Sequence, residues 1–349
     1  MIKTSKLDQN SKRIEWIDAL KAISMLGVML GHYDFFPTQL EEIYAPFLLA
    51  AFLFASGYTF HLESDFFVFL KKRVKTLLFP WLWMGLLTVL SRQILTFKEH
   101  RSLKKQLLQF VLQIRGNGDE LWFLICIFGS SMLFYLIVRL TKKSYQILLI
   151  TCILCLVSAG YSLLGGAALP WHLQMYGSAG FFLALGYLFK NCWEQLTIKF
   201  INKKVLLGSV LLYAALWYYH VILWNEEAIA FYSYGNSIPL YFMISIVSMI
   251  MMVTFVKLIK VPAWLLYVGE NTLLFYGLHG KLESLFEKLA LKLFQPDTIL
   301  AALILGLIGL IYLFMILAPV SYLINTYVPF LLGKTRKKKN IIESKEGER

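Results

Sequence analysis

Lys21 and His32 are two ionisable residues inside one apolar stretch, residues 17–33. On an α-helix, the separation between them corresponds to about three turns and a rise of about 16 Å. Asp18, Lys21 and His32 are therefore predicted to share one helix face, with a charged pair at one end and an imidazole at the other. A titratable group is costly to bury in a membrane span, so it marks a candidate functional site.

A structural role is the alternative for these residues. Lys21 lies about one turn inside the apolar stretch, where its ammonium can reach water and pair with Asp18. For Lys21 the structural and the functional readings both stay open. His32 stands between Gly31 and Tyr33, a setting that is unusual for a packing residue, and this favours a functional role.

The composition determines the class of protein in which these residues lie. The chain has 349 residues, of which 58% are hydrophobic and 16% charged, and its mean hydropathy is +0.63. Soluble domains contain about 25% charged residues. Apolar runs long enough to cross a bilayer recur along the whole chain. We therefore predict an all-α, polytopic membrane protein.

Ten membrane spans are predicted from these apolar runs. They cover residues 17–35, 45–62, 77–96, 121–140, 145–165, 173–189, 203–223, 238–257, 262–280 and 298–324. The chain then divides into a cytoplasmic N-terminal segment, a membrane-embedded domain and a basic cytoplasmic tail. These three parts are residues 1–16, 17–325 and 326–349.

The orientation follows from the basic residues, which concentrate in cytoplasmic loops. An N-in, C-in arrangement places most of them inside. The inner segments contain Lys3, Lys6, Lys12, Arg13, Lys71, Lys72, Arg73, Lys75, Arg139, Lys142, Lys143, Lys190, Lys199, Lys203, Lys204, Lys257, Lys260 and the basic residues from Lys334 to Arg349. The predicted outer loops 36–44, 166–172 and 224–237 contain no lysine or arginine. The net charge of +13 thus reflects the lysines and arginines of the cytoplasmic segments, which set the topology and are attracted to the anionic inner leaflet. A nucleic-acid partner is not expected.

One outer loop, residues 97–120, departs from this charge rule. It contains Lys98, Arg101, Lys104, Lys105 and Arg115. Its apolar residues Leu103, Leu107, Phe110 and Ile114 recur at helical spacing, which predicts an amphipathic helix along the outer interface. Such a helix either anchors the loop in lipid or presents cations to the phosphates of an anionic glycan.

Two histidines close spans that run outwards, His32 in the first and His279 in the ninth. We therefore expect them to approach one external cavity, near Asp34, Asp119 and Glu120. A histidine beside a carboxylate is suited to removing a proton from a hydroxyl. A metal site needs three or four converging ligands, and no His-x-x-x-His spacing occurs, so no metal is predicted.

Six short motifs follow one another along the chain. They are Trp16-Ile-Asp18-Ala-Leu-Lys21…Gly31-His32, Phe54-Ala-Ser56-Gly57-Tyr58, Lys71-Lys72-Arg73-Val-Lys75…Pro80, Leu121-Trp122-Phe123-Leu124, Phe181-Phe182…Gly186-Tyr187 and Val268-Gly269-Glu270-Asn271-Thr272-Leu273…Tyr276…His279. In this order, the chain resembles the acyltransferase type 3 family, integral-membrane O-acyltransferases of cell-surface glycans, over roughly residues 14–325. Two residues depart from the family pattern, because Lys21 and Thr76 stand where arginines are common, and Lys cannot offer the bidentate fork of Arg.

The resemblance implies a reaction and a location. An acyl group, with acetyl as the default, would pass from cytoplasmic acyl-CoA, a donor substrate and not a bound cofactor, to a hydroxyl outside. The acceptor would be a cell-surface polysaccharide or a lipid-linked oligosaccharide, and the membrane a bacterial plasma membrane.

The same resemblance suggests roles for individual residues. His32 would act as general base or briefly carry the acyl group, while Asp18 and Lys21 orient the thioester or the CoA end. The cations for the CoA phosphates would be Lys72, Arg73 and Lys75. The candidate acceptor-binding residues are His279, Glu270, Asn271, Tyr276 and Trp122. For those around the ninth span, the alternative is a broken helix stabilised by its own polar groups.

Two other classes of function compete with the enzyme. A transporter or flippase of a polyprenyl-linked glycan would also be polytopic with buried charges, but it predicts related halves, and we find no convincing internal repeat. A non-catalytic membrane partner of a polymer-assembly complex would tolerate loss of His32.

Overall fold

The described part of the chain is built from helices and contains no strand. A computed structural model describes residues 13–95, 102–114, 116, 121–220, 231, 232, 234 and 237–334. The first seven helices are α1 Glu15–Leu30, α2 Thr38–Tyr58, α3 Phe66–Arg73, α4 Phe79–Leu95, α5 Leu103–Leu112, α6 Trp122–Leu140 and α7 Ser144–Leu163. The others are α8 Tyr176–Leu188, α9 Glu194–Thr197, α10 Lys203–Tyr218, α11 Ile238–Leu258, α12 Ala263–Glu270, α13 Thr272–Leu293 and α14 Ile299–Tyr327.

Helix α1 lies in the middle of the bundle. It contacts α2, α11, α12, α13 and α14. Small residues such as Ala19, Ala22 and Ser24 are fully buried along it, and such residues let neighbouring helices approach closely. The 16 residues of α1 rise about 24 Å, less than the thickness of a bilayer core of about 30 Å. The helix ends at Leu30, so the prediction that His32 lies on its face is wrong, and His32 lies in the turn that follows.

A widened, π-helical turn, Val74–Leu78, joins α3 to α4 without a break. Pro80 follows this turn and lacks the N–H that would bond to the carbonyl of Thr76 four residues earlier. Its ring would also clash with that carbonyl in a regular α-helix. The wider turn avoids the clash, and it displaces the basic residues Arg73 and Lys75 from the register of α4.

Six of the described helical elements are long and apolar enough to cross a membrane. They are Thr38–Tyr58, Phe66–Gln93, Trp122–Leu140, Ser144–Leu163, Ile238–Leu258 and Ile299–Tyr327. A seventh candidate combines Pro170–Phe200 with Lys203–Tyr218, two parts that meet at a bend of 102°. The protein is therefore a helical, multi-pass membrane protein. The four other predicted spans correspond to α1, α8, α10 and the α12–α13 pair. None of these is a single helix that is both long and apolar enough to cross a membrane, so the number of ten spans stays a prediction.

The outward-facing side chains of the bundle are apolar. On α14, Ile311 and Met315 are 64% and 68% exposed, and on α7 Leu156 and Val157 are similarly exposed. Water would penalise such a surface, whereas hydrocarbon would not. These faces are therefore suited to contact lipid, and the polar residues discussed below point inwards or to the ends of the bundle.

The predicted amphipathic helix in residues 97–120 is confirmed as α5. Ser102 caps it by accepting a hydrogen bond from the backbone N–H of Lys105. Phe110 is buried, stacks on Trp81 at a centroid distance of 4.4 Å and packs against Gly85 of α4. Helix α5 is thus held against α4 by one aromatic anchor. The loop residues Lys98, Arg101 and Arg115, and the acidic pair Asp119 and Glu120, lie outside the described residues.

Helices α2 and α8 approach each other closely at Gly57, so adding one methyl group there should lower the stability of the protein. A Cβ at Gly57 would meet the carbonyl of Leu183, whereas one at Gly180 of α8 would meet no atom within 4 Å. We expect Gly57→Ala to lower the free energy of unfolding by about 1–3 kcal/mol through overpacking. Thermal unfolding in detergent, followed by a thiol-reactive dye at the buried Cys126 and Cys155, measures the change.

Gly180→Ala is the matched control and should leave the melting temperature unchanged or slightly raised, because alanine favours the helix. Equal melting temperatures for the two variants would contradict the close approach of α2 and α8.

Candidate active site

The two histidines that the sequence assigns to the outer ends of spans are in direct contact. His32 Nδ1 lies 2.8 Å from His279 Nε2, and the two rings are nearly parallel, with centroids 4.9 Å apart. His279 is buried on α13, whereas the side chain of His32 is 53% exposed. The turn that carries His32 is tied to α13, since the backbone N–H of Asp34 donates to Glu287 at 2.9 Å. The expected proximity of the histidines is confirmed.

The backbone of α13 determines which nitrogen of each ring carries the proton. His279 Nδ1 lies 3.0 Å and 2.8 Å from the carbonyl oxygens of Phe275 and Tyr276. Carbonyl oxygens only accept, so a neutral His279 is protonated at Nδ1 and accepts at Nε2. His32 then donates from Nδ1, which leaves its own lone pair on Nε2. That lone pair can take a proton from a substrate.

A buried carboxylate, Glu283, completes this cluster. Its Oε2 lies 3.6 Å from His32 Nδ1 and 3.8 Å from His279 Nε2, and its side chain is 4% exposed. Glu41 at the start of α2 also interacts electrostatically with His32. Negative charge beside His32 stabilises the imidazolium that forms when Nε2 accepts a proton.

Sequence reasoning missed Glu283. The predicted ninth span ended at residue 280, whereas α13 continues to Leu293. Glu283 lies four residues after His279, and this spacing places both side chains on one helix face. The spacing of His279 and Glu283 was thus readable from the sequence, and Glu283 was missed because the predicted helix ended too early.

Aromatic side chains extend the site away from the histidines. The Tyr276 ring lies 6.0 Å from the ring of His279, and its hydroxyl accepts a hydrogen bond from the backbone N–H of Phe123 at 3.2 Å. Trp122 precedes Phe123 and packs against His172 at 5.3 Å. Tyr276 and Trp122, both predicted to bind the acceptor, therefore lie at the same end of the bundle as His279.

Glu270 and Asn271 lie elsewhere, although the sequence analysis grouped them with His279. They end α12, about 12 Å along the helix axis from His279. The carboxylate of Glu270 pairs with Arg13, and the Asn271 amide oxygen accepts a hydrogen bond from Asn325 at 2.8 Å. The predicted acceptor-binding residues thus fall into two groups at different positions along the axis of the bundle.

Asp18 and Lys21 form an ion pair at the same height as Glu270. Lys21 Nζ lies 2.6 Å from Asp18 Oδ1, and Asp18 is buried while Lys21 is partly exposed. Neighbouring Gly269 packs against the backbone of Asp18. The predicted pairing is confirmed, and Lys21 lies about 16 Å along α1 from His32.

A lysine from the end of the described chain joins this group. Lys334 donates to the amide oxygen of Asn325 at 2.6 Å, and Asn325 in turn bonds to Asn271. Burial, together with the charge of Arg13, lowers the pKa of the Lys334 ammonium. The described cations at this end of α1 are Arg13, Lys21 and Lys334, and the carboxylates are Glu15, Asp18 and Glu270.

The basic run after α2 has three distinct environments. Lys72 pairs with Glu63 at 2.9 Å, and the guanidinium of Arg73 lies over the rings of Phe60 and Phe69 at 5.9 Å and 5.2 Å. Lys75 is exposed. A cation on aromatic faces keeps its full charge while its orientation is restricted. Arg73 is therefore the most preorganised of the three predicted phosphate-binding residues.

The motif residues Trp16 and Tyr58 meet in a second cluster that the sequence analysis did not predict. Their rings are 4.8 Å apart, and the Tyr58 hydroxyl donates to Glu194 at 2.6 Å. Lys257 pairs with the same carboxylate at 2.6 Å and lies 4.4 Å from the Trp16 ring centroid. These contacts join the ends of α1, α2, α9 and α11, which explains structurally why two separate motifs contain large aromatic residues.

Fold and site together define a multi-pass helical membrane protein with a polar cluster at each end of its central helix. A family model described as an acyltransferase domain matches residues 14–325, nearly the whole chain. The chain belongs to this acyltransferase family, as its motifs indicated, and is an acyltransferase enzyme. The match lends no support to the transporter alternative. No curated protein and no solved structure matches the chain.

The hydrogen bonds of His279 predict the protonation of both rings. In protein labelled with ¹⁵N-histidine, we expect both rings to carry a proton at Nδ1, because His279 donates from Nδ1 to the carbonyls of α13 and His32 donates from Nδ1 to His279 Nε2. Solid-state NMR of the parent, His279→Gln and the control His61→Gln assigns and measures these signals.

The control should remove one signal and leave the pair unchanged. A His279 protonated at Nε2 in the parent would contradict the arrangement.

Proposed function

We propose that the protein moves an acyl group, with acetyl preferred, from cytoplasmic acyl-CoA to a hydroxyl of an extracytoplasmic polysaccharide or lipid-linked glycan. The observation that carries this proposal is the His32–His279 contact, which leaves a basic nitrogen accessible at one end of α1. Arg73 and Lys21, which lie towards the other end of the same helix, are cations suited to the donor. One short helix would thus connect the donor side to the acceptor side.

The proposed topology has ten spans with both termini in the cytoplasm of a bacterial cell. It counts α1, α8, α10 and the α12–α13 pair as spans, although they are short or bent, because each is packed against other helices. The distribution of lysines and arginines supports the orientation. In this topology the His32 cluster faces the exterior, and Asp18, Lys21 and Arg73 lie towards the cytoplasm.

The donor would bind at the cytoplasmic end. Arg73 is held over two aromatic rings and can offer two parallel N–H bonds to a CoA phosphate, while Lys72 and Lys75 add charge. The pantetheine arm would extend along α1 past the Asp18–Lys21 pair, which holds the CoA end, so that the thioester reaches His32. Glu270 and Asn271 are assigned to this side, because they lie beside Asp18 and not beside His279.

Transfer would take place beside His32. Its Nε2 accepts the proton of the acceptor hydroxyl, the hydroxyl oxygen attacks the thioester carbonyl, and the C–S bond breaks with the electron pair leaving on the CoA sulfur. The proton on His32 then passes to that sulfur. His279 holds the ring in place and Glu283 stabilises its positive charge. The same lone pair also allows His32 to carry the acyl group before the acceptor takes it.

The acceptor would lie against Trp122 and Tyr276. Aromatic rings stack on the apolar faces of sugar rings, and these two residues are partly exposed, with the Tyr276 ring 6.0 Å from the ring of His279. Flipping of a polyprenyl-linked glycan is the competing function, and it requires no acyl-CoA. Consumption of acyl-CoA by the purified protein separates the two functions.

Substitution of His32 tests the proposed base. We expect His32→Ala to abolish acyl transfer while the protein still inserts and purifies normally, because the side chain is exposed in a turn. The O-acetyl content of surface polysaccharides, measured by NMR, should match that of a deletion strain. His61→Ala, a change at an exposed histidine outside the cluster, should retain parental O-acetylation.

Loss of O-acetyl signals in both the deletion and the His32→Ala strain supports the enzyme and identifies its acceptor. Parental O-acetylation in His32→Ala would refute the mechanism. Loss of the glycan itself on deletion would favour transport.

Substitution of Arg73 tests the donor site. Removing a charge-assisted hydrogen bond costs about 1.5–3 kcal/mol, so Arg73→Ala should raise the KM for acyl-CoA roughly tenfold or more. The KM for the acceptor should change little. Steady-state kinetics in detergent or nanodiscs measures both.

Lys71→Ala is the control, because Lys71 is an exposed cation on the same helix. An increase confined to the KM of the acceptor, or an equal effect of the two substitutions, would contradict the donor role of Arg73.

A further inference from the structure

The His32 cluster contains the donor set of a transition-metal site. His32 Nδ1, His279 Nε2 and Glu283 Oε2 lie within 4.8 Å of one another, with separations of 2.8, 3.6 and 3.8 Å. Ligand atoms in a tetrahedral zinc site are about 3.3 Å apart, given bond lengths of about 2.0–2.1 Å. A rotation of the exposed His32 ring can bring these three separations to the values of a zinc site, because His32 is not enclosed as the other two side chains are.

The hydrogen bonds around His279 are those of a metal ligand. Its Nδ1–H is directed at the carbonyls of Phe275 and Tyr276, so its Nε2 lone pair points into the cluster. Histidines that bind metals almost always donate their other N–H to a carbonyl or carboxylate in this way. The ligand atom is therefore oriented before any ion arrives.

The charge of the cluster also favours a cation. Glu283 is buried, and its second oxygen, Oε1, has no hydrogen-bond partner among the described residues. A buried carboxylate gains from a cation in direct contact. His32 leaves one side of the cluster open, which corresponds to the fourth position that a catalytic or inhibitory zinc site keeps for water.

We propose that His32, His279 and Glu283 form a reversible site for zinc or a similar transition-metal ion, and that an ion bound there inhibits the enzyme. The inhibition rests on the proposed function, whereas the binding does not. Zinc takes the lone pair of His32 Nδ1, and the proton of that ring then resides on Nε2. That is the atom that must accept the proton of the acceptor hydroxyl, so the metal-bound ring cannot act as the base.

The binding is tested directly on the purified full-length protein. We expect calorimetry with zinc chloride to detect a site with one ion per chain that Glu283→Gln and His279→Gln weaken at least about tenfold. Cobalt(II) should give the intense visible absorption of tetrahedral coordination in the parent, and this absorption should be lost in Glu283→Gln and His279→Gln. His61→Gln, at an exposed histidine, should bind as the parent does, and gel filtration and thermal unfolding show whether each variant is folded.

Equal zinc binding by the parent and the folded Glu283→Gln and His279→Gln variants would overturn the site. A second measurement concerns inhibition: zinc should reduce acyl transfer by the parent, and a chelator should restore it. Zinc that binds at these ligands without reducing transfer would overturn the inhibition. Absence of transfer in metal-free parent protein that still binds zinc would refute the proposed function and not the site.

Discussion

The close approach of α1 and α12 sets the height at which the polar residues of α1, α12 and α13 meet their partners. Gly269 lies directly against the backbone of Asp18, where a larger residue would not fit. Because α13 follows α12 after a single residue, this contact also sets the position of His279 relative to His32. The ion pair at one end of α1 and the histidine pair at the other are thus two consequences of one backbone contact.

A short central helix suits a reaction that crosses a membrane. A helix in contact with lipid needs about 20 residues to span the hydrocarbon, whereas α1 has 16 and is surrounded by other helices. Both of its ends can therefore carry polar groups inside the protein without exposing them to lipid. This arrangement shortens the path between the proposed donor and acceptor sides, and the surrounding apolar helices restrict where polar groups are solvated.

Much of the fold was predictable because hydropathy and helical spacing are local properties. The helix in residues 97–120 was predicted from the spacing of four apolar residues and is present as α5. The approach of His32 and His279 to one cavity was predicted from the direction of two spans, and the structure shows them in direct contact. Glu283 was missed because the predicted span ended at residue 280, although its spacing from His279 places both side chains on one helix face. Glu270 and Asn271 were assigned to the wrong neighbours, since a separation of about two turns along a helix axis changes which residues meet.

The sequence by itself determined that this is a multi-pass helical membrane acyltransferase, because composition and ordered motifs are encoded residue by residue. It also identified the ionisable side chains that are costly to place inside a membrane span and therefore mark a functional site. Only the tertiary structure decided which of them act together: a histidine whose proton is directed by the carbonyls of its own helix, and a carboxylate one turn further on. The contact of these two side chains with His32 depends on distances of a few ångströms between segments far apart in the chain, and spacing along one helix does not encode it.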